Sequence, residues 1–237
     1  MHPLASTPRR GFSLVELLVV MTIIAILIAV ASPLIPSLLR ANQLDSSVNT
    51  LSGVLEEARE AATSANTYVW VAFTNVSATS PQKGIWVATL QSNDGTETNI
   101  NTGTPTAPVW ASITVPSAAA SNIQAHSKLQ NLVGVQIANA APSFSPLPSA
   151  LVAKAPSSST TSLASVTWTL NNLASSGAPN DVSFKYAIEF SPDGEAHVPS
   201  WNSNIQFGLY PSIGSNYTNS VLFNISRLTG KATVYRM

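Results

Sequence analysis

Few residues in this 237-residue chain could carry covalent or metal chemistry. With no cysteine, thiolate metal sites, disulfides and cysteine nucleophiles are excluded. The three histidines, His2, His126 and His197, stand far apart, so a histidine metal centre or a Ser–His–Asp arrangement has little to draw on. The 11 acids are scattered without a motif of paired carboxylates. Glu56, Glu57 and Glu60 cluster, but at a helical spacing that gives a solvated face. Asp193 and Glu195 flank a glycine and could line a calcium loop, yet the run of several oxygen ligands that calcium requires is missing. No phosphate-binding, dinucleotide-binding or zinc spacing occurs. The residues therefore predict no cofactor, no metal and no catalytic group.

One acid stands out by its surroundings. Residues 14–31 read LVELLVVMTIIAILIAVA, in which Glu16 and Thr22 are the only polar members. A lone carboxylate near the start of such a run costs about 2.5 kcal/mol or more to bury in hydrocarbon, so Glu16 needs a partner. The run is long enough to cross most of a bilayer core as a helix. Arg9 and Arg10 just before it would hold that end on the cytoplasmic side, leaving the bulk of the chain outside. A basic stretch followed by an apolar run also describes a secretory signal peptide. Ala29, Ala31 and Ser32 could mimic its cleavage site, although Pro33 follows immediately and disfavours that cut.

The elements that must position these residues follow from periodicity. Ala41, Leu44, Val48, Leu51, Leu55, Ala58 and Ala62 recur at steps of three and four, opposite Asn42, Asp45, Asn49 and the glutamates, which predicts an amphipathic helix over residues 37–66. Joined to the apolar run it makes one nearly continuous helix, kinked or locally melted at Pro33 and Pro36. Short runs rich in β-branched and aromatic residues then predict strands at 67–73, 84–90, 109–115, 162–170, 182–190, 204–210, 221–225 and 231–235. Trp70, Trp86, Trp168, Phe184, Phe190, Phe207 and Phe223 are expected in the core or on sheet faces. An antiparallel sheet resting on the amphipathic helix gives an α+β head over 67–237. Residues 116–180, rich in Ser, Ala, Asn and Pro, are expected to form long loops or a low-complexity insertion.

Composition narrows the partners. Only 9% of residues are charged and the net charge is zero, which excludes a strongly basic nucleic-acid binder. Arg227, Lys231 and Arg236 are the only candidates for a basic patch on the head, so nucleic acid is not an expected partner.

The string Arg-Arg-Gly-Phe-Ser-Leu-Val-Glu-Leu at residues 9–17 resembles the recognition site of prepilin peptidase in type IV pilins and type II secretion pseudopilins. The basic pair, glycine, phenylalanine and glutamate stand at the family's spacing, and the expected apolar helix follows. Pro33 coincides with a proline that many members carry. The resemblance implies a leader of residues 1–11, cleavage after Gly11, N-methylation of Phe12, and a membrane and assembly half of the helix over 12–36. It also implies that Glu16 sets registry by neutralising the N-terminal amine of a neighbouring subunit. Glycine before the cut suits a membrane protease, because no Cβ obstructs an extended backbone. Pairing of Glu16 with an amine is also what physics favours, since each alone is costly in apolar surroundings.

A looser resemblance lies nearer the C-terminus. Phe-Ser-Pro-Asp-Gly-Glu-Ala at 190–196, and Asn-Ile-Ser-Arg-Leu-Thr-Gly-Lys-Ala-Thr-Val at 224–234, are similar to the closing region of H-type minor pseudopilins and related minor pilins. A narrower likeness is to pilin-like proteins of verrucomicrobial gene cassettes. The implied protein is not an enzyme but a single-pass subunit of the cytoplasmic membrane, head outside, whose partners are prepilin peptidase, other pilins, an assembly platform and membrane lipid. A minor pseudopilin of type II secretion is the first expectation, and a minor type IV pilin the alternative. A membrane-tethered enzyme or carbohydrate-binding module with exposed tryptophans is the alternative from another class.

Overall fold

The computed structural model describes residues 13–31, 35–76, 83–97, 100–104, 109–115, 122–138, 147–154, 160–171, 181–199, 204–212, 217 and 219–236. Two compact units divide the chain, Met1–Arg40 and Ala41–Met237.

In the first unit, helix α1 (Leu14–Ala31) forms from a run with no glycine or proline to interrupt it. Its backbone bonds begin with the Leu17 amide donating to the Ser13 carbonyl at 3.1 Å. The Thr22 hydroxyl donates to the Val19 carbonyl at 2.8 Å, so the helix satisfies its own hydroxyl. The large apolar side chains described along α1 lie open, from 82% exposed at Leu14 to 45% at Ile24. No helix among the described residues is long and apolar enough to cross a membrane.

Helix α2 (Ile35–Ala65) begins in the first unit and continues into the second. Pro36 falls in its first turn, where a missing N–H removes no intrahelical bond. From Leu44 onward its apolar face is buried as the spacing requires, through Leu44, Val48, Leu51, Leu55, Ala58 and Ala62. Val54 and Ser47 widen that stripe. All of the apolar members belong to one core cluster shared with the strands.

Thirteen strands are assigned among the described residues: β1 (Val69–Asn75), β2 (Gly84–Ser92), β3 (Ile113–Val115), β4 (Ile123–Ala125), β5 (Gln130–Val133), β6 (Val135–Ala138), β7 (Thr160–Thr161), β8 (Ala164–Asn171), β9 (Asp181–Phe190), β10 (Ala196–His197), β11 (Asn204–Pro211), β12 (Val221–Ile225) and β13 (Ala232–Arg236). A short helix, α3 (Ser149–Val152), lies between β6 and β7. The head is α+β, but it has two sheets where one was expected. The larger runs β3-β8-β9-β1-β2-β4, with β10 beside β9 and β5 beside β2. The smaller runs β13-β12-β11-β6, with β7 beside β11. Pairing is antiparallel except for β3 with β8 and β7 with β11.

The sheets meet through aromatic rings. Phe73 of β1 packs on Phe207 of β11 with centroids 5.7 Å apart, and Phe207 stacks on Phe223 of β12 at 5.1 Å. Asn75 extends the ladder sideways: the Ile137 amide donates to its Oδ1 at 2.8 Å, and its Nδ2 donates to the Ile137 carbonyl at 3.2 Å. The amide side chain thereby ties β1 to β6 as a backbone peptide would. A second cluster of Leu147, Leu151, Ala138 and Leu222 seats α3 beside the smaller sheet.

Residues 116–180, expected as loops or an insertion, contain described strands as well as stretches that lie outside the described residues. Strands β4, β5 and β6 fall inside that range, and β6 completes the smaller sheet. Each has only three or four residues. Segments that short give too few alternations to be told from coil among serines and asparagines. The expected strand at 109–115 contracts to β3, because Trp110 makes only an isolated bridge to Asn101. Trp70, Trp86, Trp168, Phe184, Phe190, Phe207 and Phe223 are all buried.

Candidate functional site

Two places in the molecule invite a partner. The first is the N-terminal helix. Glu16 occupies the first turn of α1, where the helix dipole favours a negative charge, and its side chain is exposed. Arg9, Arg10, Gly11, Phe12 and Pro33 lie outside the described residues. Pro36 opens α2 as described above. The second place was not revealed by the sequence.

That second place is a cleft of about 360 Å³ in the head, lined by Tyr68, Glu97, Glu189, Ser191, Pro192, Asp193, Glu195 and His197. Glu189 and His197 in this lining belong to a row across three adjacent strands. Trp70 of β1 faces Glu189 of β9, which faces His197 of β10 in register. Side chains at directly opposed positions share a sheet face, so the row points one way. Tyr68, two residues before Trp70, stacks its ring beside the indole with centroids 6.2 Å apart. The indole Nε1–H donates to Glu189 Oε2 at 2.6 Å.

Glu189 is 3% exposed. Burial, reinforced by the charge of Glu97 and opposed by the Trp70 bond, pushes its carboxyl up to about 8. His197 Nε2 lies 3.3 Å from Glu195 Oε2. Burial nevertheless holds that imidazole below its usual range, against the opposing pull of Glu195. Burial also raises the Tyr68 phenol.

Two turns hold the acidic rim. After β9 the Gly194 amide donates to the Ser191 carbonyl at 2.9 Å, and Gly194 adopts φ +84°. This closes the β9–β10 hairpin around Pro192 and Asp193. The Ser191 hydroxyl donates to Asp193, and that bond is the main reason the Asp193 carboxyl sits below its usual range. The second turn, after β12, places Gly230 at φ +62° against the first, so that a Cβ there would lie 2.4 Å from the Gly194 carbonyl oxygen. The Ala196 amide donates to the Arg227 carbonyl at 2.8 Å and locks the two turns together.

Glu97 arrives from the loop after β2. Asp94 organises that loop, accepting from the Ser92 hydroxyl at 2.7 Å, the Thr96 amide at 3.0 Å and Asn122 Nδ2 at 2.6 Å. Those donors, Ser92 first, hold the Asp94 carboxyl down at about 2.

Asp193 and Glu195, weighed from sequence as calcium ligands, thus belong to the rim of this cleft. Among the described residues no three His, Asp or Glu side chains converge as a metal ion requires. Glu189, Glu97 and Tyr68 were not singled out from sequence, because they come from three separate segments. The available signal was Glu189 itself, a lone acid in Ala-Ile-Glu-Phe where both strand faces are otherwise apolar. Asp45 and Arg236 form an exposed ion pair between α2 and β13, so one of the three basic candidates is already engaged.

The model of the prokaryotic N-terminal methylation motif matches residues 7–32. This is the signal of type IV pilin-like proteins that prepilin peptidase processes, and it covers Arg9, Arg10, Gly11, Phe12, Glu16 and most of α1. The motif thus points to a membrane-anchored subunit of the pilus and pseudopilus type, one that assembles with other pilins. No curated protein and no solved structure matches the chain.

Proposed function

We propose that the chain is a minor pseudopilin of a type II secretion system, a structural subunit whose work is assembly and not catalysis. Prepilin peptidase cuts it after Gly11 and methylates Phe12. Before assembly the α1 segment rests in the cytoplasmic membrane, N-terminus inward and head outward. In the fibre, α1 exchanges lipid for the helices of neighbouring subunits, and the Glu16 carboxylate meets a neighbour's N-terminal amine. The observation that carries this reading is a methylation motif leading into an 18-residue helix whose large apolar side chains are exposed. Water does not tolerate such a surface, whereas lipid and other pilin helices do.

Assembly tests the proposal. In cells carrying the peptidase and the other subunits, Gly11→Ala is expected to block processing. Glu16→Ala is expected to leave processing largely intact and to remove the subunit from sheared or cross-linked fibres. Normal incorporation of Glu16→Ala would refute the registry role. Loss of exoprotein secretion on deletion supports the pseudopilus. Loss of surface pili with secretion unchanged would transfer the chain to type IV pili, for adhesion, motility or DNA uptake. A membrane-tethered binding module would need exposed aromatic platforms, and the burial of Trp70, Trp86 and Trp168 removes three of the five tryptophans from that role.

A further inference from the structure

The head concentrates its charge oddly. The whole chain carries 11 acids and 11 bases. Yet Glu97, Glu189, Asp193 and Glu195 line one cleft in which, among the described residues, His197 is the only basic one. Arg227 acts on His197 from the β12–β13 turn but does not line the cleft. A concave site lined by one sign of charge focuses its field and raises the local concentration of the opposite charge.

Acidity alone would not make this a site. The second observation is Glu189, almost wholly buried and aimed into the cleft, with an indole donor and no ion-pair partner among the described residues. A cation that displaces the proton of this carboxyl pairs with it in low-dielectric surroundings, where the attraction is stronger than in water. The chemistry of the walls selects the kind of cation. The carboxylates are not grouped as a metal ion needs. Tyr68, beside Trp70, supplies an aromatic wall of the sort that attracts organic cations. The volume of about 360 Å³ accepts a side-chain-sized group where a bare ion would leave most of it empty.

We propose that the cleft bounded by Tyr68, Glu97, Glu189, Asp193 and Glu195 is a binding site for an organic cation of the guanidinium or primary ammonium class, as presented by an arginine or lysine side chain of a partner protein. The cation lies against Tyr68, with Glu189 at the floor and Glu97, Asp193 and Glu195 at the rim. Only the origin of the cation draws on the assembly role; the site stands on the head alone. Because Glu189 is mostly protonated at neutral pH in the empty cleft, cation entry drives its proton out. The other titratable groups facing it are Tyr68 ahead of β1, Glu97 after β2, Asp193 and Glu195 in the hairpin, and His197 on β10. The Ser191 hydroxyl holds the Asp193 carboxyl below its usual range. His197 becomes neutral as pH rises, which favours the cation in the same direction.

Calorimetric titration of the detergent-solubilised full chain tests this with ethylguanidinium, butylammonium, calcium and a capped Gly-Arg-Gly peptide. Saturable uptake of the organic cations is expected, with Kd on the order of 1 mM for the small probes. At pH 7 the heat should vary with the ionisation enthalpy of the buffer, showing proton release. Glu189→Gln, which keeps an acceptor for Trp70, should abolish the proton release and weaken binding at least about tenfold. Glu97→Gln, on the rim, should weaken binding less and leave the proton release in place. Tighter binding of the peptide than of ethylguanidinium assigns the cation to a protein side chain; equal binding assigns it to a free amine or guanidine. Uptake of calcium alone, or no saturable uptake of any organic cation by the folded protein, would overturn the proposal. So would binding that Glu189→Gln leaves unchanged.

Discussion

Helix α1 and the floor of the head cleft handle the same difficulty in opposite ways. Each places a carboxyl among apolar side chains: Glu16 at the start of an exposed apolar helix, Glu189 buried beside an aromatic pair. Around Glu189 the fold supplies an answer, a hydrogen bond from Trp70 and a carboxyl that keeps its proton. Around Glu16 the described chain supplies none, and the apolar surface beside it lies open. The head buries its apolar side chains within itself, whereas α1 leaves those described along it exposed. An exposed apolar helix on an otherwise well-buried protein marks the part whose stability is provided by something outside the chain.

That contrast can be broken at several points. The largest effect should come from the core of the head. Trp168 is fully buried, and its indole donates to the Ala111 carbonyl at 2.9 Å, so Trp168→Ala should cost the head about 3–5 kcal/mol. Chemical denaturation followed by head fluorescence reads that loss.

Glu189 gives the next effect, through pH. Its carboxyl is raised from 4.5 to about 8 in the folded head, so between those values the folded state binds a proton that the unfolded state has released. Stability is therefore greatest below pH 4.5 as far as this group is concerned, and it falls as pH rises toward 8. The expected loss is roughly 3 kcal/mol from pH 5 to pH 8. Glu189→Gln should flatten that slope in denaturation curves recorded across the range. Gly230→Ala comes third. It combines a positive φ with a Cβ placed against the Gly194 carbonyl, for a loss of about 1–3 kcal/mol in the same assay. The smallest effect belongs to α1. Ile26 is exposed, so Ile26→Ser should shift head unfolding by less than about 0.5 kcal/mol while reducing retention in membranes. A large shift in head stability would break the comparison.

The two regions also differed in how well the sequence revealed them. On α2 the face from Leu44 to Ala62 was legible because a long run repeats at three and four residues, enough turns for periodicity to dominate. Strands β9, β11 and β12 were legible from dense β-branched and aromatic content. Strands β4, β5 and β6 were not, since their few residues acquire their meaning only by adding to sheets already formed. The second sheet escaped notice for a related reason: pairing partners such as Gly208 and Ala138 are far apart in the chain, and nothing local specifies them. The processing signal was legible because a protease reads it as a contiguous string. The cleft was hidden because Tyr68, Glu97, Glu189 and Glu195 become neighbours only through the register of β1, β9 and β10.

The central claim is that the exposed helix is the working part of a processed pilin-like subunit. Intact mass and N-terminal peptide mapping of the membrane-extracted protein, expressed with and without a prepilin peptidase, test it most directly. A peptidase-dependent start at N-methylated Phe12 is the predicted result. A chain left uncut in the presence of the peptidase, or cut near Ala31, would contradict it and leave α1 a plain anchor or a discarded signal.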